Sequence, residues 1–238
     1  MRSRSLLAIP LVWLLAACAA GVPIDRAVEQ QWATDVLLGA ESGHRRDGVV
    51  RWRGPVRFLV VEAKDRFRRA IDRAFEDLSR TLEGVHRLEL EYVQRRDTRI
   101  GGEGFVTVFP VAPGQAALLA AELGALPPSA DADGWFTIAW NGAFELTRAL
   151  VFVDPALEPR WLRHTALEEM FQSLGPSNDS GLLRDSLVYE GEHGYGSHQR
   201  LARVDREILR LLYGALLPGA DAAEIARAMA RSWRFDGG

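Results

Sequence analysis

The chain has 238 residues and a formal charge of −3, a balance that does not suggest a nucleic-acid binder. Its length suits one domain or two small ones and is enough to bury a proper core. Cys18 is the only cysteine, so no internal disulfide can form.

The leader "MRSRSLLAIPLVWLLAACAAG" opens with Arg2 and Arg4, then runs apolar from Leu6 to Leu15 and small up to Cys18. A membrane-spanning helix needs roughly 20 apolar residues, so the run reads as a secretory signal. Loss of Arg2 and Arg4 with that signal moves the charge from −3 to −5. Leu15-Ala16-Ala17-Cys18 resembles the bacterial lipobox. The resemblance implies cleavage before Cys18, acylation of its amine and thiol, and a partner in the lipid bilayer. Acyl chains contribute roughly 0.8 kcal/mol per buried methylene, so two or more make a stable anchor. Ala19 after the cysteine implies the outer membrane, with the protein facing the periplasm or the cell exterior. The other reading is an ordinary cleaved signal with an incidental cysteine. The expected organisation is a signal peptide over 1–17, a lipidated tether and arm over 18–50, and a domain over 51–238.

Within the arm, "DRAVEQQWATDVLLGA" carries helical hints. "HRRDGVVRWRGPVRF" interleaves arginines with Trp52 and Phe58. Such a run could meet phosphates or lipid headgroups, but it is more often the solvated face of a first strand. "VRFLVVEA" predicts a strand. In "KDRFRRAIDRAFEDLSRTLEG", Phe67, Ile71, Phe75, Leu78 and Leu82 recur at three and four residues, which predicts a helix with one apolar face, stopped by Gly84. "HRLELEYVQ" alternates and predicts a half-buried strand; "GFVTVFPV" predicts another. "GQAALLAAELGAL" predicts a short helix and "PPSADADG" a loop. "WFTIAW" and "AFELTRALVFVD" predict two strands joined across Asn141-Gly142, a strong hairpin signal because both residues tolerate positive φ. Pro159 suits the first turn of the next helix. "LARVDREILRLLYG" and "ADAAEIARAMARSW" predict two C-terminal helices. The fold class expected is α+β with a mixed sheet.

The helix after Pro159 carries "RHTALEEMFQSLGPSNDS". Leu167, Met170, Phe171 and Leu174 form its core stripe. His164, Glu168 and Gln172 share another face at spacings of four, with Glu169 beside them. Gly175 lets the chain turn, and Asn178 and Asp179 come back near the helix end. Zinc chemistry uses this geometry: two ligands four apart, a glutamate beside the first as general base, and a glycine turn that delivers the third ligand.

The segment resembles the metzincin signature H-E-x-x-H-x-x-G-x-x-H-D. The resemblance places Glu168, Gln172 and Asn178 at the three ligand positions, Glu169 at the base, Gly175 at the turn and Asp179 at the following acid. All three histidines are replaced. "DSLVYEG" resembles the Met-turn of matrix-metalloproteinase-like enzymes, with Val188 for methionine and Tyr189 retained. "LARVDREILRLLYG" resembles their closing helix at Leu201, Asp205, Leu209, Leu212, Tyr213 and Gly214. The resemblance implies a zincin-like sheet with a long helix before and the motif helix after it, and an edge strand bordering a substrate cleft. The chain also resembles a bacterial family of lipoproteins of unknown function that carry E-E-x-x-Q-x-x-G-x-x-N-D, a serine-hydrophobic turn and an L-x-x-L-Y helix.

Zinc prefers imidazole and thiolate; two neutral amides and one carboxylate make a weak set. Without a metal, Glu169 has no bound water to deprotonate. The expectation is therefore no cofactor and no catalysis, with Glu168, Gln172 and Asn178 hydrogen-bonded to one another and Asp179 and Ser180 tying the next loop to the helix end. The former cleft would hold an envelope protein or an extended peptide. The alternative is an active metallohydrolase in which His164, Glu168 and a histidine of the glycine-rich loop, His193 or His198, bind zinc. A third possibility is a purely structural envelope component.

Overall fold

The computed structural model describes residues 26–39, 45–127, 132–191, 194–195 and 198–234. Cys18, the leader and His193 lie outside the described residues. Among the described residues, six helices and seven strands follow one another as α1 (Arg26–Leu38), β1 (Val56–Val61), α2 (Asp65–Leu82), β2 (Leu88–Val93), β3 (Phe105–Pro110), α3 (Pro113–Glu122), β4 (Gly134–Trp140), β5 (Leu146–Val153), α4 (Pro159–Gln172), β6 (Glu190–Gly191), β7 (Gly194–Tyr195), α5 (Arg203–Gly214) and α6 (Ala222–Ser232). The fold is α+β.

Five strands form a mixed sheet in the order β2-β1-β3-β5-β4. β2, β1, β3 and β5 pair in parallel, and β4 runs antiparallel to β5 along one edge. Side chains alternate across a strand, and the sequence obeys that rule on both faces. Val56, Phe58 and Val60 of β1 and Ala149, Val151 and Val153 of β5 enter the larger core with α1, α2, α4, α5 and α6. Leu59, Val61, Leu150 and Phe152 face the other way and pack beneath Ala116 and Ala120 of α3. The central strands are mostly apolar because both faces are covered, with Arg57 of β1 and Arg148 of β5 among the exceptions. β2 alternates more strictly because it is the other edge.

The expected strands and helices of the sheet are all present, and three details differ further along. Residues 18–50 are expected as a tether and a packing arm, and within them α1 buries Trp32, Val36 and Leu37 completely, with Val49 and Val50 following into the same core. Glu29, itself fully buried, accepts from Arg203 of α5 and from the Trp233 indole, which binds α1 to the far end of the chain. The Asn141-Gly142 turn is longer than two residues. Asn141 O accepts from Phe144 N at 3.0 Å, and the Asn141 side chain caps the amides of Ala143 and Glu145. The positive φ falls on Phe144 (59°), as in a turn closed by a left-handed residue, and the register slips at Ala139/Trp140. The glycine-rich stretch after Tyr189 contains a two-stranded ribbon, β6 with β7, rather than loop alone.

The basic run also departs from expectation, because two of its arginines point inward. Arg51 Nη1 donates to Leu212 O, Tyr213 O and Leu216 O, the open carbonyls at the end of α5. Arg46 donates to Leu37 O at the end of α1. A cation there meets the negative end of the helix dipole. Arg45 is exposed, and the exposed Arg53 and Arg57 pair with Glu145 and Glu89. Among the described residues no helix is long and apolar enough to cross a membrane.

Candidate functional site

The motif lies on α4, which packs beside α2 and against the edge strand β4 and its neighbour β5. Leu167, Met170, Phe171 and Leu174 are buried in the core as their spacing requires. The neighbouring face carries His164, Glu168 and Gln172, of which His164 and Gln172 are also buried.

α4 ends in a turn at Gly175, whose φ of 126° suits only glycine, and a Cβ there would stand 2.4 Å from Val50 O. Three successive carbonyls past the helix have no intrahelical partner, and each finds a side chain from elsewhere. Trp52 Nε1 donates to Ser173 O at 3.1 Å, the Tyr213 hydroxyl to Leu174 O at 2.8 Å, and Arg46 Nη2 to Gly175 O at 3.4 Å. Arg46 also donates to Ser177 Oγ. Burial lowers the Arg46 pKa to about 10, which leaves it charged at neutral pH.

The polar groups behind this turn divide into pairs. Gln172 Nε2 donates to Asp179 Oδ1 at 2.9 Å, which ties the last turn of α4 to the returning chain. Asn178 does not join it: its amide donates to the neighbouring Asp179 O at 2.6 Å, and the side chain lies against Gly39 at the end of α1. The expected place of Asn178 in a network with Glu168 and Gln172 is therefore corrected: Asp179, not Asn178, carries the contact from turn to helix. A carboxylate accepts a primary amide's N–H directly, whereas two amides must also be matched in orientation. Ser180 N donates to Val188 O at 3.0 Å and joins the motif to the serine turn.

His164 is 3% exposed and its Nδ1 lies 2.8 Å from His198 O. A carbonyl only accepts, so Nδ1 carries a proton. Nε2 then faces Glu168 Oε2 at 3.3 Å. Burial is the largest influence on His164 and lowers its pKa from 6.5, while the bond to His198 O works the other way. A neutral imidazole turns its Nε2 lone pair on the carboxylate, and a proton or a cation between the two relieves the contact. His198 is spent on other work, since its Nε2 lies 3.0 Å from Arg184 O.

Glu169 is buried and lies where the edge strand crosses α4. A Cβ on Gly134, the first residue of β4, would stand 2.7 Å from Glu169 Oε1 and 2.2 Å from Thr165 Cγ2. Glycine at 134 lets the backbone of β4 rest on Glu169 and Thr165. Tyr189 is half-buried, just past the serine turn.

That turn is governed by Asp205, which the sequence marks only as part of the closing helix. Its fully buried carboxylate accepts from Ser186 Oγ (2.9 Å), Leu187 N (3.0 Å) and Ala202 N (2.8 Å). Burial raises its pKa from 3.8 to about 6, against those three hydrogen bonds, which lower it.

The three ligand positions do not compose a zinc set. Only Glu168 offers a charged donor, Gln172 is bonded to Asp179, and Asn178 is turned to Gly39 and its own backbone. Among the described residues no group of three or more histidine, cysteine, aspartate or glutamate side chains is arranged to hold a metal ion. Sequence reasoning missed Arg46 and Trp52 as clamps of the turn. Trp52 left one signal, a large aromatic in an otherwise charged run.

Known proteins add little about activity. No curated protein matches the chain. A family model matches residues 26–231, from the start of α1 through almost all of α6, and the chain belongs to that family, described as protein of unknown function (DUF2927).

Proposed function

We propose that this protein is a cell-envelope lipoprotein whose domain is a non-catalytic, degenerate metzincin-like module that binds an extended peptide along β4. The observation that carries this reading is the fate of the ligand positions: Gln172 and Asn178 are engaged with Asp179 and its backbone, while the glycine turn that would deliver a third ligand is kept. The turn is braced by Trp52, Tyr213 and Arg46, so it holds its form through protein hydrogen bonds. β4 is the outer strand, antiparallel and beside the motif helix, where the resemblance places a substrate cleft. A sheet edge offers backbone donors and acceptors to an added strand. Trp140, 44% exposed at its end, offers an apolar contact.

The test combines metal analysis of the purified full chain with hydrogen exchange in the presence of an array of envelope-protein peptides. The reading expects substoichiometric zinc, no peptide hydrolysis, and new amide protection confined to residues 134–140. Stoichiometric zinc, with hydrolysis abolished by Glu169→Gln, overturns it. So does protection that avoids β4.

One observation favours the alternative of an active metallohydrolase. His164 Nε2 and Glu168 Oε2 lie four residues apart and 3.3 Å from each other, with the opposite ring nitrogen fixed by a carbonyl, as metal-ligating histidines commonly are. Zinc titration of His164→Ala decides between the two: loss of a bound equivalent supports the enzyme.

A further inference from the structure

We propose that the cavity between the N-terminal halves of α2 and α4 binds a phosphate-bearing anion, held by Arg66, Arg69, Arg73 and Arg163. The cavity encloses about 280 Å³, enough for a phosphate or diphosphate group, and Ala70 and Leu162 form its floor. Arg66, Arg69 and Arg73 recur at three and four residues, so they share one face of α2. Arg163 approaches from α4, with its Nε held by Pro159 O at 3.2 Å.

Three observations converge on an anion. First, among the described residues no carboxylate stands within 4.0 Å of any of these four guanidinium groups. The other arginines of α2 are occupied: Arg68 lies over the Tyr92 ring at 3.9 Å, and Arg80 pairs with Glu76 at 2.6 Å. Second, several nearby acids are spent elsewhere. Asp72 accepts from the Tyr92 hydroxyl, Asp154 from Ala156 N, Asp77 from Leu201 N and Glu62 from Arg95 N. Asp65 and Glu158 flank the cavity without pairing with the cluster. Third, α2 follows β1 and α4 follows β5, two strands that run parallel through β3. Both helices therefore start at the carboxyl edge of the sheet. Neither start is capped by a side chain, and Arg66 and Pro159 bring both to the cavity. Helix N-termini carry partial positive charge, and crevices at this edge of parallel strands are common ligand sites. Four like charges beside two dipole ends, none of them paired with a carboxylate, repel one another. A bound phosphate relieves the repulsion through charge-assisted, fork-shaped hydrogen bonds.

The ligand chemistry has two sources, a soluble phosphate compound or the phosphodiester of a lipid headgroup. The test uses the purified full chain. Inorganic pyrophosphate is titrated by calorimetry, and flotation compares phosphatidylcholine vesicles with vesicles that also contain phosphatidylglycerol. Pyrophosphate binding alone supports the proposal with a soluble ligand; a phosphatidylglycerol preference alone supports it with a headgroup. In either arm Arg69→Gln/Arg163→Gln weakens binding about tenfold or more. The control Arg80→Gln/Arg87→Gln removes the same charge outside the cavity and leaves binding within about twofold. All four positions are at least partly solvated, and circular dichroism checks that both variants fold. No binding in either arm overturns the proposal, and so does an equal loss in the control.

Discussion

Asp205 gives the sharpest prediction because its carboxylate is both a staple and a liability. It joins the first turn of α5 to the serine turn through three donors, yet it is sealed from water. Its pKa rises from 3.8 to about 6 in the folded protein. Between those values the folded state holds a proton that the unfolded state has released. The stability this group contributes is therefore fully present below its unfolded pKa and is lost as pH rises through about 6. At 1.36 kcal/mol per pH unit the loss is about 3 kcal/mol. Asp205→Asn removes the charge and keeps partners for all three groups: its oxygen accepts from Leu187 N and Ala202 N, and its amide donates to Ser186 Oγ. Urea unfolding of both proteins between about pH 4 and pH 7 should show the difference moving in the variant's favour by up to about 3 kcal/mol. Taking the difference cancels other titrating groups. A difference that stays constant within about 0.5 kcal/mol, or that moves the other way, refutes the argument. Asp205→Ala, which leaves three buried donors without an acceptor, should cost about 3 kcal/mol or more near pH 4, and the cost should shrink as pH rises through about 6.

Gly175→Ala forces a left-handed residue's Cβ onto Val50 O and should destabilise by more than about 3 kcal/mol in the same assay. Trp52→Phe keeps a ring in the core but strips Ser173 O of its donor, for a loss of about 2 kcal/mol. Gly134→Ala pushes β4 off Thr165 and Glu169; a loss of about 1–3 kcal/mol, with faster amide exchange over residues 134–140, is expected. Cys18→Ser should abolish palmitate labelling and release the protein from the membrane fraction, and unchanged labelling refutes lipidation at that residue.

Much of the fold is legible in the residues because local geometry dictates it. The period of 3.6 in Phe67, Ile71, Leu78 and Leu82 and the period of 2 in Leu88, Leu90 and Tyr92 follow from how side chains leave a helix or a strand. Gly175 is legible for the same reason, since a turn at the end of an apolar stripe needs a residue without a Cβ. The spacing of His164, Glu168 and Gln172 on one helical face needs no tertiary information either.

Only the folded chain decides what those groups meet. Arg46 and Arg51 look like surface charge in the sequence, but helix ends far along the chain leave carbonyls that nearby residues cannot reach, and these guanidinium groups fill the need. Glu29 looks like one acid of an amphipathic arm until Arg203 and Trp233, 174 and 204 residues away, close over it. Asn178 stands at the spacing of a third ligand, yet packing against Gly39 turns it aside and leaves Asp179 to meet Gln172. The arginines of α2 form a cavity only because α4 begins beside them. Periodicity is a property of the backbone and survives in any context, whereas partners depend on how distant elements stack.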